Sequence, residues 1–312
     1  MDNFFKYKLL KHPERIMTQS PITADIFLTN FCNNKCKYCT YKRWFPDVRP
    51  YAMKFDDFKR YVARMYDLGV RGFILTGGGE PTINPDFQKM TGWLEANGFQ
   101  YGINTNFNNL VLCKPKYLKV SLDGYSEDSY EKLRGVRAYK RTVQNIVDYA
   151  EWKKQHSPET SLGIQWVAVS PEDVMLFYEA NKSLDVDYIS IRPVESTDGS
   201  FYKNVSVRDI VDAINSIKDS RVVASPKWDA VDMHFTKCHS QWAQIAINER
   251  GEVMYCCHKP YEIIGHIMDA DIMEKKRNAV TDMVMCDVPC RMTFSNHVGK
   301  IFDESIKDEN FI

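Results

Sequence analysis

No charge of one sign dominates this sequence: 41 Lys and Arg are matched by 41 Asp and Glu. A general nucleic-acid binder carries a basic excess that neutralises phosphates, so the balance argues against nucleic acid as a partner, although it leaves room for a local basic cleft. No apolar run approaches the roughly eighteen residues that cross a bilayer. The first twenty residues, MDNFFKYKLLKHPERIMTQS, hold neither an unbroken hydrophobic stretch nor a small-residue cleavage site. A membrane partner and a secretory route are therefore not expected, and the cytoplasm is the expected compartment. Internal repeats, low-complexity tracts and long charge blocks are missing too. With 44% apolar residues, the 312-residue chain reads as a globular protein with room for one large domain and a smaller appendage.

What the sequence does have is nine cysteines in groups: Cys32, Cys36 and Cys39; Cys113 alone; then Cys238, Cys256, Cys257, Cys286 and Cys290. In a chain without secretion signals such grouping points to metal rather than disulfides. Between Thr23 and Pro193, short β-type runs alternate with helical ones, the pattern of a parallel sheet covered by helices. The expected strands are Ala24 to Leu28, Gly72 to Leu75, Tyr101 to Asn104, Leu118 to Leu122, Leu162 to Val169 and Tyr188 to Ile191. Helices are expected from Phe55 to Leu68, ending at Gly69; from Pro85, capped by Asn84, to a left-handed stop at Gly98; and over Val174 to Leu184 behind the start signal Ser170, Pro171 and Asp173. The fold class is α/β, a partial (β/α)6 barrel followed by a small cysteine-rich α+β domain. The boundaries are an extension over 1–22, the barrel over 23–200 and the smaller domain over 201–312. In the latter a helix is expected near Val207 to Ile217, and Gln244 to Asn248 with Glu252 to Tyr255 reads as a β-hairpin.

Cys32, Cys36 and Cys39 stand in CNNKCKYC, directly after the first expected strand, at the end where barrel enzymes place ligands. Three thiolates hold three irons of a 4Fe-4S cube and leave the fourth open, which is what chemistry at a metal requires. A structural zinc site completed by a distant Cys or His is the competing reading. Gly77 to Gly79 in LTGGGEP can be a tight turn, and the Asp and Ser that follow the later strands can be ordinary turn or cap residues.

The three cysteines, spaced three and two apart with the aromatic Tyr38 before the last, resemble the signature of the radical S-adenosylmethionine (SAM) superfamily. The resemblance runs from about Thr23 to the C-terminus. It implies a 4Fe-4S cluster on Cys32, Cys36 and Cys39 with SAM on the open iron, and Tyr38 near the adenine. Gly78, Gly79 and Glu80 match the family's Gly-Gly-Glu motif at the SAM amino group. Thr105 and Asn106 in INTN, and Ser121 and Asp123 in SLDG, are placed near the ribose and methionine parts. Arg134 matches an arginine that faces the SAM carboxylate, with a solvated helix-end arginine as the alternative. The implied chemistry is reductive cleavage of SAM to a 5′-deoxyadenosyl radical, which takes hydrogen from a substrate carbon. A flavodoxin- or ferredoxin-type protein is the implied electron donor.

Cys238 and Cys256 enclose seventeen residues and Cys286 and Cys290 enclose three. With only one close pair this suits an iron–sulfur cluster better than a zinc ribbon. The layout resembles the shortened SPASM or twitch domain, which implies an auxiliary 4Fe-4S cluster on Cys238, Cys256, Cys286 and Cys290. The three-residue gap in the last pair departs from the usual two. Adjacent strand residues point to opposite faces, so Cys257 is spare: a packed thiol, or a hydrogen-atom donor to the substrate radical. Cys113 reads as a buried structural thiol, and His234, His239 and His258 as hydrogen-bonding groups around ligand cysteines. The expected activity is epimerisation or dehydrogenation of a small molecule, sugar- or aminoglycoside-like, by an oxidoreductase or isomerase. Isomerisation of a modified nucleotide and peptide maturation are the alternatives, and a non-catalytic zinc or iron–sulfur scaffold is the competing class.

Overall fold

A computed structural model describes residues 4–195, 205–230, 237–279, 290 and 292–303. Among the described residues ten strands form one sheet: β1 (Thr23–Phe27), β2 (Gly72–Thr76), β3 (Gln100–Thr105), β4 (Tyr117–Ser121), β5 (Ser161–Val167), β6 (Tyr188–Arg192), β7 (Val222–Ala224), β8 (Gln244–Ile247), β9 (Glu252–Cys256) and β10 (Lys259–His266). Their order is β10-β9-β8-β1-β2-β3-β4-β5-β6-β7. Strands β1 to β7 run parallel, and β8 joins the free edge of β1 in parallel, with Asp25 opposite Ala246. The pairings of β9 with β8 and with β10 are antiparallel, so among the described strands β9 alone runs against the others. This is an α/β architecture built on a mostly parallel, open barrel-like sheet.

Period-two alternation decides which side chains meet the helices. Ala24, Ile26, Phe73, Leu75, Ile103, Leu118, Val120, Leu162 and Ile164 are buried in one continuous core. They meet Phe58, Val62 and Met65 from the helix Phe55–Asp67, Met90 and Leu94 from Phe87–Ala96, Ile146 and Tyr149 from Tyr139–His156, and Phe177 from Pro171–Asn181. The intervening positions, including Asp25, Asn104, Lys119, Ser121, Gln165 and Arg192, line a cavity on the other face.

All six expected strands are present within one or two residues of their expected ends. Ser170 caps its helix as expected, accepting from Asp173 N at 3.2 Å, but that helix spans Pro171–Asn181 and stops before Leu184. The helix expected at Pro85 begins instead at Phe87, with Asp86 as its cap residue. Asn84 serves the barrel: its Nδ2 donates to Leu28 O at 2.8 Å and Met53 O at 3.0 Å, while its Oδ1 accepts from Asp86 N. Between β3 and β4 no helix intervenes, so one of the six expected β-then-α units lacks its helix. No described helix is long and apolar enough to cross a membrane.

Asn84 is buried and donates to Met53 O and to Leu28 O, the latter also accepting from Met53 N at 2.9 Å. Its replacement by Ala should cost about 1–3 kcal/mol, the penalty for leaving the Met53 carbonyl without this donor. Urea unfolding of Asn84→Ala checks this, and an unchanged midpoint would contradict it.

Candidate active site

The loop after β1 carries Cys32, Cys36 and Cys39 and is fastened at both ends by backbone hydrogen bonds. On one side, Gly79 N donates to Thr29 O and Glu80 N to Phe31 O, each at 2.9 Å. A Cβ on Gly79 would lie 1.8 Å from Phe31 O, so only glycine allows this approach. On the other side, Lys35 N and Lys37 N donate to Arg134 O and Leu133 O at 2.8 and 3.1 Å, using carbonyls left open at the end of the helix Glu127–Arg134. Gly135 ends that helix at φ 71°, and a Cβ there would strike Lys35 O.

Each loop sulfur accepts a hydrogen bond. Asn34 N reaches Cys32 Sγ at 3.3 Å, Lys42 N reaches Cys39 Sγ at 3.4 Å and Arg134 Nη1 reaches Cys36 Sγ at 3.3 Å. Burial, together with the Glu80 carboxylate, pushes the Cys32 thiol up to about 12. Burial also raises Cys36, against the opposing pull of Arg134. These sulfurs become thiolates when a metal brings positive charge, and the donors are already in place for them. Among the described residues no three His, Cys, Asp or Glu side chains converge as closely as a single ion requires. The three sulfurs instead share the wall of one cavity of about 520 Å³, a setting that fits a larger group such as a 4Fe-4S cube.

Arg134 is largely buried, its side chain 11% exposed, rather than solvated. Its guanidinium pairs with Asp123, donates to Ser121 O at 3.0 Å and lies over the Tyr38 ring at 5.8 Å. Tyr38 donates its hydroxyl to the same Asp123 oxygen, and Val167 N donates to the other at 2.8 Å. Tyr38, Ser121 and Arg134 line the cavity, with Asp123 tying them together from behind.

Glu80 is fully buried and is satisfied by Thr82, Thr105 Oγ1 and Asn106 N, the last at 2.7 Å. Burial raises its pKa despite these four donors. It thereby locks the end of β3, where Thr105 Oγ1 also accepts from Phe107 N and holds Phe107 at φ 56°. A left-handed aromatic residue stores on the order of 1–3 kcal/mol of strain. Asn106 Nδ2 extends toward Cys32 Sγ at 3.7 Å. Gly78, Gly79, Glu80, Thr105 and Asn106 all face the same cavity as the cysteines.

The tail contributes a second group. Cys238, Cys256 and Cys290 are half-buried free thiols, with Cys256 in electrostatic reach of Cys290; Cys286 and His234 lie outside the described residues. Lys276, fully buried, donates to Met254 O at 3.3 Å and to Tyr255 O. Burial pushes its pKa down to about 8, and the nearby Cys256 and Cys238 sulfurs pull it back up. A buried ammonium beside cysteines is the setting of an anionic thiolate cluster, so this donor set fits an auxiliary iron–sulfur group.

Cys257 is not on the strand. It and His258 form the two-residue turn between β9 and β10, and both line the main cavity with the loop cysteines. Cys113 is a buried thiol, and His239 is buried as well. Sequence reasoning missed Lys119, Gln165, Arg192, Glu195 and Lys227 on the cavity wall, where Glu195 is held by Lys227, Arg192 and His258. For Lys119, Gln165 and Arg192 the signal was legible: polar residues at inward positions of apolar strands, as in YLKVS, LGIQWV and YISIR.

Residues 26–164 match the family model described as the radical SAM superfamily. Over those residues the chain matches a radical SAM domain, the kind found in the superfamily that uses a 4Fe-4S cluster and SAM. It is similar to GTP 3',8-cyclase of Staphylococcus epidermidis, 24% identical over 229 residues, which cover 67% of this chain and 66% of that protein. The GTP 3',8-cyclase of Staphylococcus carnosus is 27% identical over 221 residues, 64% of this chain and 63% of that one. The chain thus spans just under two thirds of these relatives' length. Among solved structures, Streptococcus suis SuiB bound to precursor peptide SuiA aligns with a TM-score of 0.64 at 15% identity, over 88% of this chain and 72% of that one. The protein anSMEcpe with bound AdoMet aligns with a TM-score of 0.58 at 16% identity, over 82% and 78%. At those identities the structures show a shared fold.

Gly79→Ala should displace the cysteine loop and prevent iron loading at the first site. Gly92→Ala, where a Cβ meets nothing within 4 Å, should load iron normally. Iron analysis after anaerobic reconstitution checks the pair, and equal loading in both would contradict the role given to the close approach.

Proposed function

We propose that the chain takes a hydrogen atom from an unactivated carbon of a small polar substrate and returns one from Cys257 to the opposite face, the outcome of an epimerase. In this reading Cys32, Cys36 and Cys39 hold the SAM-cleaving cluster, and Cys238, Cys256, Cys286 and Cys290 hold the auxiliary one. Gly78, Gly79, Glu80, Thr105, Asn106, Ser121 and Arg134 shape the SAM pocket, with Asp123 acting through Arg134 and Tyr38. Residues 23–200 form the SAM-binding barrel and 201–312 the auxiliary domain, behind a short extension over 1–22.

The observation that carries the reading is the position of Cys257. It shares a cavity wall with the three loop cysteines, whereas its neighbour Cys256 does not line that cavity and lies in electrostatic reach of Cys290 as well as of Cys257. When bound, the cluster and SAM supply a 5′-deoxyadenosyl radical. The protein's part is to hold the target carbon against it and keep water away. The substrate C–H bond breaks and its hydrogen forms 5′-deoxyadenosine; the Cys257 S–H bond then breaks and its hydrogen goes to the substrate carbon. One electron and one proton restore the thiol, the electron coming from the auxiliary cluster or from a flavodoxin- or ferredoxin-type donor. Dehydrogenation has no use for such a donor, which is why the placement favours epimerisation.

One observation favours a second reading, radical isomerisation of a nucleotide. The similar staphylococcal proteins are GTP cyclases, and Lys119, Arg192 and Lys227 on the cavity wall suit phosphate oxygens.

Cys257→Ala separates the two. As an epimerase it should keep forming 5′-deoxyadenosine but lose inverted product, and wild-type enzyme in heavy water should place one deuterium on the inverted carbon. Unchanged product from Cys257→Ala rejects the donor role and leaves the nucleotide reading in its place.

A further inference from the structure

Lys276 is an electrostatic anomaly. It lies on the helix Ile272–Asn278, it is 0% exposed, and among the described residues its ammonium donates to the carbonyls of Met254 and Tyr255, the two residues that precede Cys256 on β9, and lies over the Tyr255 ring at 5.8 Å. Among the described residues no carboxylate pairs with it. A buried charge held by two carbonyls and the face of a ring, all of them neutral, is costly, because these replace only part of the hydration that an ammonium loses. An apolar residue of the same length would fill this space more favourably, unless the place itself is negatively charged. Besides the Tyr255 ring, the side chains in electrostatic reach of Lys276 are those of Cys256, Cys238 and Cys257. As thiols they carry no charge to answer it.

We propose that Lys276 is the built-in counter-cation of the auxiliary cluster, raising that cluster's reduction potential and helping to retain it. This rests on the assignment of Cys238 and Cys256 as cluster ligands. Thiolates ligating a four-iron cluster leave the assembly net negative, and one-electron reduction makes it more negative still. A fixed cation at the ligand sulfurs therefore stabilises the reduced form more than the oxidised one. The strand geometry explains how the cation is held there: the carbonyls of Met254 and Tyr255 fix the ammonium next to the end of β9, where Cys256 enters the site. A cluster so biased takes up an electron more readily, which bears on how the site exchanges electrons with the substrate radical or with Cys257.

The test uses the reconstituted protein in a Cys32→Ala, Cys36→Ala, Cys39→Ala background, so that only the second cluster is read. Its potential is measured by a redox titration followed by electron paramagnetic resonance, in that background and with Lys276→Gln added. Gln can still donate to a carbonyl but carries no charge. The expected result is a fall in potential corresponding to at least a tenfold change in the one-electron equilibrium, about 59 mV. An unchanged potential at full iron load overturns the proposal. Should Lys276→Gln fail to load iron, Lys276→Arg decides: loading restored by Arg supports the charge, whereas loss in both variants makes Lys276 a packing residue and overturns it. A background protein that never holds a second cluster fails the ligand assignment instead, an outcome distinct from any of these.

Discussion

The buried ion pair between Arg134 and Asp123 is the constraint on which the rest of the site depends. Asp123 fixes the guanidinium from behind, and the guanidinium in turn reaches three otherwise separate elements: the Ser121 carbonyl at the end of β4, the Tyr38 ring and the sulfur of Cys36. A charge pair this deep is not a source of net stability, since desolvation offsets most of its attraction. What it provides is placement. With Arg134 fixed, the end of its helix offers the carbonyls that hold Lys35 and Lys37, so the cysteine loop has one position rather than many.

Glu80 does for the opposite wall what Arg134 does for this one. Its four donors bind the turn after β2 to the end of β3 and keep Phe107 in a conformation it would not otherwise adopt. Two buried charges of opposite sign therefore flank the three thiols, and neither is free to relax. The cavity is consequently shaped before any cofactor arrives, and the energy of cofactor binding is not consumed in ordering the loop.

Much of this was legible in the sequence, for identifiable reasons. The barrel strands announce themselves because buried parallel strands are apolar runs bounded by turn residues, and CNNKCKYC sits directly behind the first of them. The expected fold class and the radical SAM resemblance both follow from that local order. Asn84 was misread because an amide beside a proline looks like a helix cap, while its actual partners, Leu28 and Met53, are distant in sequence. The pairing of β8 with β1 joins residues more than two hundred apart and leaves no local trace. Cys257 lies in a turn with neither glycine nor asparagine and without positive φ, so the usual hairpin signature is missing there. Lys276 had no sequence signal either, because a lysine on a short charged helix reads as a solvated one.

The central claim is that three loop thiols, each already facing a hydrogen-bond donor, hold the cluster that cleaves SAM. The most direct measurement is electron paramagnetic resonance of the anaerobically reduced protein with and without SAM, paired with an assay for 5′-deoxyadenosine. The account predicts that SAM perturbs the cluster signal and is cleaved by the wild-type protein. The Cys32→Ala, Cys36→Ala, Cys39→Ala variant should lose both the perturbation and the cleavage while keeping the signal of the second cluster. Cleavage of SAM by that variant would contradict it.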